Sequence, residues 1–467
     1  MAVTERFLVS RELPDELALP PGPKLPAAVQ TVLFMTQRDW TAPRWHRRYG
    51  DVFSVHFAPA GRGVVLARPE HIREVFSGPA DTFHAGEGNA ILGPIMGEHS
   101  VLLLDEGAHL AARKRVMAAF HGETMRGYGQ LIEQVAGERV EHWPVGEPFA
   151  VHPSMNDISL EVIMRIVFGL AEGPRLERMR PLLQRLVRIG PMIFIGWLYP
   201  WLDHVGPWRR FQQLKKATDD LLYAEIAERR TQTELDTRTD VLSKLLVAHP
   251  SQSDEELRDH LVTLLLAGHE TTASTLAWAL HDLARDPQLL SRVQRAADEN
   301  DEAYLEAVVK EAMRLRPVIS QVARRLAKPV RLAGYDLPAG IVVFPSISLV
   351  QHTAAIYPSP STFRPGRFLG ANPPPATWIP FGGGIRRCLG ASLASVEAQA
   401  VLKAVLTRVD IVPGGRREHA RTRNITTVPS RGARIVSRPR RRDAAAGAGS
   451  GPGADAGAAG GQAARGR

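Results

Sequence analysis

A mainly helical chain with small β-sheets is predicted by three observations: apolar residues recur at three- and four-residue spacing over most of the length, strand-like alternation is confined to short stretches, and one long segment is apolar all round. The alternating stretches come first, at Asp51 to Phe57 and Gly63 to Leu66, each bounded by glycine or proline. Helical spacing follows near 105–119, 124–142, 155–169, 174–189, 208–230 and 253–285, separated by Gly, Pro, Asp and Asn breaks. Short strands return around 320–343 and 409–436. No Gly/Ser-rich or Pro-rich linker and no repeat interrupts 26–437, so one large domain is expected. An extended segment (1–25) precedes it and an Arg/Ala/Gly-rich tail (438–467) follows.

The segment from Ser253 to Arg285 carries the most information. Ser253 with Glu256 three residues later is a capping-box start, and the run predicts a helix roughly 50 Å long. Its middle, Leu261 to Ala267, is apolar on every side, as expected of a helix buried through the centre of a large protein. Gly268-His269-Glu270-Thr271-Thr272 then interrupts it. A glycine costs about 1 kcal/mol in a helix interior, and a buried ionisable pair must be paired, hydrated or put to use. An exposed turn of an amphipathic helix is the alternative. A zinc site built on His269 and Glu270 fails, because the second histidine it requires four residues later is Ala273.

Composition narrows the function. Of 467 residues, 44% are hydrophobic and 23% charged, the proportions of a soluble globular enzyme. The single cysteine, Cys388, excludes an intramolecular disulfide, a structural zinc cluster and a protein-bound iron–sulfur centre, all of which need more thiols. An excess of 58 Lys+Arg over 49 Asp+Glu raises nucleic acid or a membrane surface as partner. However, 438–467 holds six arginines against two aspartates, so +4 of the formal +9 sits in a segment with almost nothing to bury, which reads as disordered. Nucleic-acid binding is therefore not expected. The N-terminus lacks a secretory pattern, and no apolar run reaches the roughly 18 residues of a membrane span. A cytoplasmic protein is expected, with at most peripheral membrane contact through the short apolar stretch Pro191 to Leu202.

Around the cysteine runs Phe381-Gly382-Gly383-Gly384-Ile385-Arg386-Arg387-Cys388-Leu389-Gly390. Its glycines permit a tight loop, and the helical pattern from Leu389 to Leu406 puts the sulfur at a helix start, where partial positive charge and nearby arginines favour thiolate. The spacing of Phe381, Gly384, Arg386, Cys388 and Gly390 resembles the haem-binding signature of the cytochrome P450 family. The resemblance extends from Pro20-Pro21-Gly22-Pro23 to about Val436. It implies the cytochrome P450 fold, with haem b between the long central helix and the cysteine-bearing helix, Cys388 as the iron ligand, and 26–437 as a haem-thiolate catalytic domain.

Other motifs fall in the family's order. Ala267 to Thr272 resembles its oxygen-activation stretch, which implies Glu270 and Thr271 as the acid and alcohol of a proton relay. Glu311 and Arg314 match its helix-borne pair, and Arg367 its third member; these three are assigned to folding and assembly of the haem pocket. His109, Arg113 and Arg324 (Arg325 as the alternative) match propionate-binding positions, with Arg386 beside them. Segments that line the pocket in relatives include Ile193, Trp197, Leu264, Ala267, Val318, Ile319, Val322 and Val428.

The activity implied is hydroxylation of a small apolar, lipid-like substrate, a fatty acid or terpenoid, by a monooxygenase close to a bacterial fatty-acid and sesquiterpene hydroxylase branch. Alternatives are a peroxide-using or non-oxygenating haem-thiolate enzyme and a non-enzymatic haem-binding protein. Electrons are expected from a separate ferredoxin or flavodoxin with its reductase, with Lys114, Arg115, Arg386 and Arg387 as candidate docking charges on a monomer.

Overall fold

A computed structural model describes residues 18–58, 61–118, 124–169, 173–187, 200–370 and 372–440. Helix α1 (Ala27–Tyr49) runs into a hairpin of β1 (Val52–Phe57) and β2 (Gly61–Leu66), whose register pairs Val52 with Leu66 and Phe57 with Gly61. Then come α2 (Pro69–Ser77), β3 (Phe83–His84), α3 (Glu106–Ala118), α4 (Thr124–Val140), β4 (Pro148–Ala150), α5 (Val151–Phe168), α6 (Pro174–Val187), α7 (Gly206–Arg230) and α8 (Val241–Ala248). The central helix α9 (Asp254–Leu283) is followed by α10 (Pro287–Asp298) and α11 (Glu302–Leu315). Strands β5 (Arg324–Leu326), β6 (Val330–Leu332), β7 (Tyr335–Leu337) and β8 (Val342–Pro345) lead to α12 (Ile347–Gln351) and the cysteine-bearing region before α13 (Ala391–Leu406). Strands β9 (Val409–Pro413), β10 (Ala420–Arg423), β11 (Thr426–Pro429) and β12 (Arg434–Pro439) complete the described chain.

Helix boundaries follow local chemistry. Ser253 caps α9 by accepting a hydrogen bond from the Glu256 amide at 3.2 Å, and Asp254, Glu255 and Glu256 place negative charge on its first turn. Asp240, Asp286 and Asp301 cap α8, α10 and α11 in the same way. The predicted burial of α9 holds along nearly its whole length, with Leu261, Val262, Leu265, Leu276 and Leu280 inaccessible. It packs chiefly on α5, whose residues Ile158 to Phe168 are buried almost without interruption. Helices α4, α11 and α13 close around this pair and form the main core.

The larger sheet has the order β1-β2-β8-β5-β3, with β2 and β8 parallel and the other pairs antiparallel. A second sheet places β12 between β4 and β9. Two features depart from expectation. Helix α1 is absent from the predicted elements because its pattern is broken by a non-helical turn at Gln37 and by Pro43 inside the helix. Residues 438–440, assigned above to the tail, belong to the fold: Arg438 and Pro439 of β12 pair with Asp410 and Val409 of β9, and Arg440 bonds Asp298 at 2.7 Å. A composition reading places that boundary early because arginine-rich sequence is not recognised as a central strand. The remaining tail, 441–467, and residues 1–17 lie outside the described residues. Among the described residues no helix is long and apolar enough to cross a membrane.

Candidate active site

Cys388 sits at the end of a loop wedged against α2. A Cβ on Gly383 would lie 2.2 Å from the Phe76 ring, and one on Gly384, at φ +64°, would meet the Phe76 carbonyl at 1.9 Å, so this close approach requires glycine. The loop is closed by the Cys388 amide donating to the Phe381 carbonyl at 2.9 Å and the Arg387 amide donating to Gly384 at 3.1 Å. Gly390 is the residue before α13 and a Cβ there would touch no protein atom. Phe381 is half-buried, packing edge-on to Trp378 at 6.0 Å.

Burial pushes the Cys388 thiol up, opposed by the Gly390 amide, Arg387 and Arg113. The same residue is solvent-accessible. The sulfur is thus crowded by protein on one side and reachable by solvent on the other. A thiol in that setting is poised for a metal, since coordination removes its proton outright.

Beside it lies a concentration of positive charge. Buried His109 on α3 is depressed to about 3 by burial and then by Arg386, Arg113 and Arg324, and its Nδ1 has no hydrogen-bond partner. Arg324 and Arg386 are each lowered to about 10, first by burial, with Arg386 acting on Arg324 and Arg113 on Arg386. Arg113 is lowered by burial and by Arg387, while the charge of Cys388 opposes the shift. Asp105 offsets part of this by accepting from Arg386. Clustered guanidiniums around a buried imidazole whose Nδ1 has no partner fit a ligand with carboxylates at this edge. The donor set therefore suits haem, with thiolate for the iron and cations for the propionates.

Arg386 is not available as a docking charge. It turns inward to Asp105 and to the Val101 and Leu104 carbonyls, leaving its side chain 10% exposed. Lys114 and Arg387 are exposed, whereas Arg115 is half-buried, 3.9 Å from Glu256. Arg325, the alternative to Arg324, points away to the Gly340 carbonyl at 3.4 Å and to Glu87 at 3.9 Å.

On α9 the accessible positions form a stripe. Ala267 is exposed and Leu264, Gly268 and Thr271 are half-buried, at spacings that place all four on one face, while Leu266 on the opposite side is also half-buried. The Thr271 hydroxyl donates to the Ala267 carbonyl at 2.9 Å, and Thr272 and Thr275 hydroxyls donate to Gly268 and Thr271. His269 is on another face: burial lowers it to about 4, and its Nδ1–H donates to the Leu265 carbonyl at 2.6 Å, so it is a neutral core histidine. Glu270 is 7% exposed and accepts from Arg423 of β10 at 3.1 Å. Sequence reasoning missed Arg423, which lies 153 residues further along the chain and belongs to no motif.

Glu311, Arg314 and Arg367 come together as expected. The fully buried Glu311 carboxylate accepts from Arg314 Nε and Nη2 at 2.7 and 2.9 Å, from Arg367 Nε at 3.1 Å and from the Arg364 amide at 2.8 Å. Of the predicted pocket residues, Val318 and Val428 are buried and adjacent in space, since the Thr427 amide donates to the Val318 carbonyl at 2.8 Å. Strand β11 in turn packs on α9. Ile319 and Val322 are half-buried against the β-rich core. Ile193 and Trp197 lie outside the described residues.

Comparison with known proteins agrees with this geometry. The family profile described as Cytochrome P450 matches residues 20–433. A protein of Mycobacterium tuberculosis provisionally named cytochrome P450 135A1 is 44% identical over 431 residues, covering 91% of this chain and 96% of its own. Cytochrome P450 135B1 of Mycobacterium bovis, also provisionally named, is 41% identical over 438 residues, covering 91% and 93%. Neither name specifies a substrate. The solved structure of retinoic acid-bound cyanobacterial CYP120A1 matches with a TM-score of 0.80 at 22% identity, over 91% of this chain and all of that one, which shows a shared fold. The chain belongs to the cytochrome P450 family and is a haem-thiolate monooxygenase.

Proposed function

We propose that this monooxygenase hydroxylates an apolar, lipid-like substrate such as a fatty acid or terpenoid. What supports the reading is the apolar character of Leu264 and Ala267 on the accessible face of α9, of Val428 on the strand β11 that packs on that helix, and of its neighbour Val318, which together would offer an apolar wall. Such a wall binds by burial, at roughly 25 cal/mol per Å² of apolar surface.

Bound haem supplies the redox chemistry that consumes dioxygen, two electrons and two protons, placing one oxygen atom in the substrate and the other in water. The chain's residues serve this from three sides. Cys388 would hold the iron through its thiolate and supply electron density to it. Arg113, Arg324 and Arg386 would neutralise the propionates, and the neutral His109 imidazole would donate a hydrogen bond to one of them. Glu270 exchanges protons with solvent, and the Thr271 hydroxyl, able both to donate and accept, passes them into the accessible face of α9. Electrons come from a ferredoxin or flavodoxin with its reductase, and exposed Lys114 and Arg387 suit an acidic carrier. Cytoplasmic location and a monomeric state complete the reading.

Two measurements test it. Reduced protein with carbon monoxide is expected to give the red-shifted Soret band of thiolate-ligated haem, lost in Cys388→Ala; a nitrogen-ligated spectrum in the wild type overturns the ligand assignment. Fatty acids and terpenes are expected to induce a low- to high-spin shift. A shift produced only by polar ligands overturns the substrate class.

A further inference from the structure

We propose that Arg423 is a positioning residue for Glu270, so that the hairpin lining one side of the pocket also sets the proton relay. This rests on the assignment of Glu270 to that relay.

Glu270 lies on α9, one residue before Thr271, in a helix whose neighbouring polar side chains are satisfied by its own backbone: Thr271 by Ala267, Thr272 by Gly268 and His269 by Leu265. Glu270 instead reaches off the helix to the Arg423 guanidinium at 3.1 Å. The carboxylate is 7% exposed and the guanidinium 35%, so the pair spans from a buried site to solvent. A guanidinium at that distance fixes the rotamer of a shielded carboxylate through a charge-assisted hydrogen bond.

Arg423 ends β10, and two residues intervene before the buried β11, with Asn424 at φ +54° making the turn. Strand β11 presents Thr427 and Val428, and the Thr427 amide is anchored to the Val318 carbonyl. Register pairs Arg423 with Thr426 and Arg421 with Val428. A displacement of Val428 therefore moves Arg423 with it, because a two-stranded hairpin with a short turn shifts as a unit. One element thus bears on both the substrate wall and the orientation of the relay acid. No motif announces this, because an arginine on a terminal hairpin reads as surface charge.

The test compares holoenzymes of wild type, Arg423→Gln, Arg423→Lys, Glu270→Gln and the Glu270→Gln/Arg423→Gln double variant. A surrogate ferredoxin and its reductase supply electrons without added substrate, and the readout is peroxide formed per NADPH consumed. Arg423→Gln is expected to raise that ratio several-fold in the same direction as Glu270→Gln, Arg423→Lys to return it close to wild type, and the double variant to match Glu270→Gln alone. An Arg423→Gln ratio equal to wild type overturns the proposal, as does a double variant in which the two effects add, since a residue acting through Glu270 has nothing to act on once the carboxylate is gone. If Glu270→Gln itself leaves the ratio unchanged, the relay assignment falls and this inference with it. Should Arg423→Gln fail to load haem, the Lys variant decides: loading with a wild-type ratio supports an electrostatic hold, and loading with the ratio of Glu270→Gln overturns it.

Discussion

Gly384 and Gly390 flank the same cysteine, yet their surroundings set different demands on them. Gly384 has a positive φ and a carbonyl against the place a Cβ would occupy, whereas Gly390 has neither. Gly384→Ala is therefore expected to lower the thermal midpoint of the apoprotein markedly, while Gly390→Ala leaves it within experimental scatter. Thr271→Ala is expected to keep haem and substrate binding but divert reducing equivalents to peroxide, read as peroxide per NADPH; unchanged coupling removes Thr271 from the relay. Cys388, Glu311 and Arg314 were legible because their meaning lies in short local spacing. Asp105 and Arg423 were not, since each gains its role only through a partner brought up from far along the chain. Arg386 carried two readings, as a propionate cation and as a docking charge, and its inward turn leaves the first. Sequence could not choose between them because the carboxylate that turns it inward, Asp105, lies far along the chain.

Helix α11 and the turn Pro365–Phe368 are separate elements held together at one buried carboxylate. Glu311→Gln leaves Arg314 and Arg367 without their anion, at an expected cost of about 3–5 kcal/mol. The check is a shift in urea midpoint accompanied by loss of bound haem; a variant as stable as wild type removes the ion cluster from the assembly role. Long, uninterrupted helices such as α9 and α13 were readable because burial imposes one apolar period over many turns. Helix α1 was not, because its kink at Gln37 resets the phase. The short strands β3 and β4 are defined by partners elsewhere in the sequence, Leu326 and Arg325 for one and Ile435 for the other, so no local pattern could fix them.

The molecule as a whole carries buried titratable groups that oppose one another with pH. Burial, and then Arg115 and His99, lower His260 to about 4, and burial lowers His269 to about 4. Once pH falls below the unfolded value of 6.5, the unfolded chain takes up protons that the fold refuses, so stability declines toward pH 4, by up to ~1.4 kcal/mol per unit for each histidine. Glu397 on α13 runs the other way. Burial, opposed by the Ser159 hydroxyl, raises it from 4.5 to about 8, so the unfolded chain ionises first and stability is lost as pH climbs through that window. Glu397→Gln is expected to gain stability over wild type progressively between about pH 5 and about pH 8, measured by urea unfolding. A constant difference across that range removes Glu397 as the source.

The central position of β12 has a consequence for biosynthesis. Its residues Arg434 to Val436 pair with Ala150 to Pro148, so the sheet at the head of α5 waits for the last stretch of the domain to leave the ribosome. Closing so long a loop is the slow kind of folding step. A nascent chain ending after α13 already contains α3, α9 and the cysteine loop, yet lacks both the β12 strand and the hairpin bearing Arg423. Assembly of the site in its final geometry therefore awaits β12, and a truncation that trims β12 should accumulate as haem-poor protein that is open to proteases.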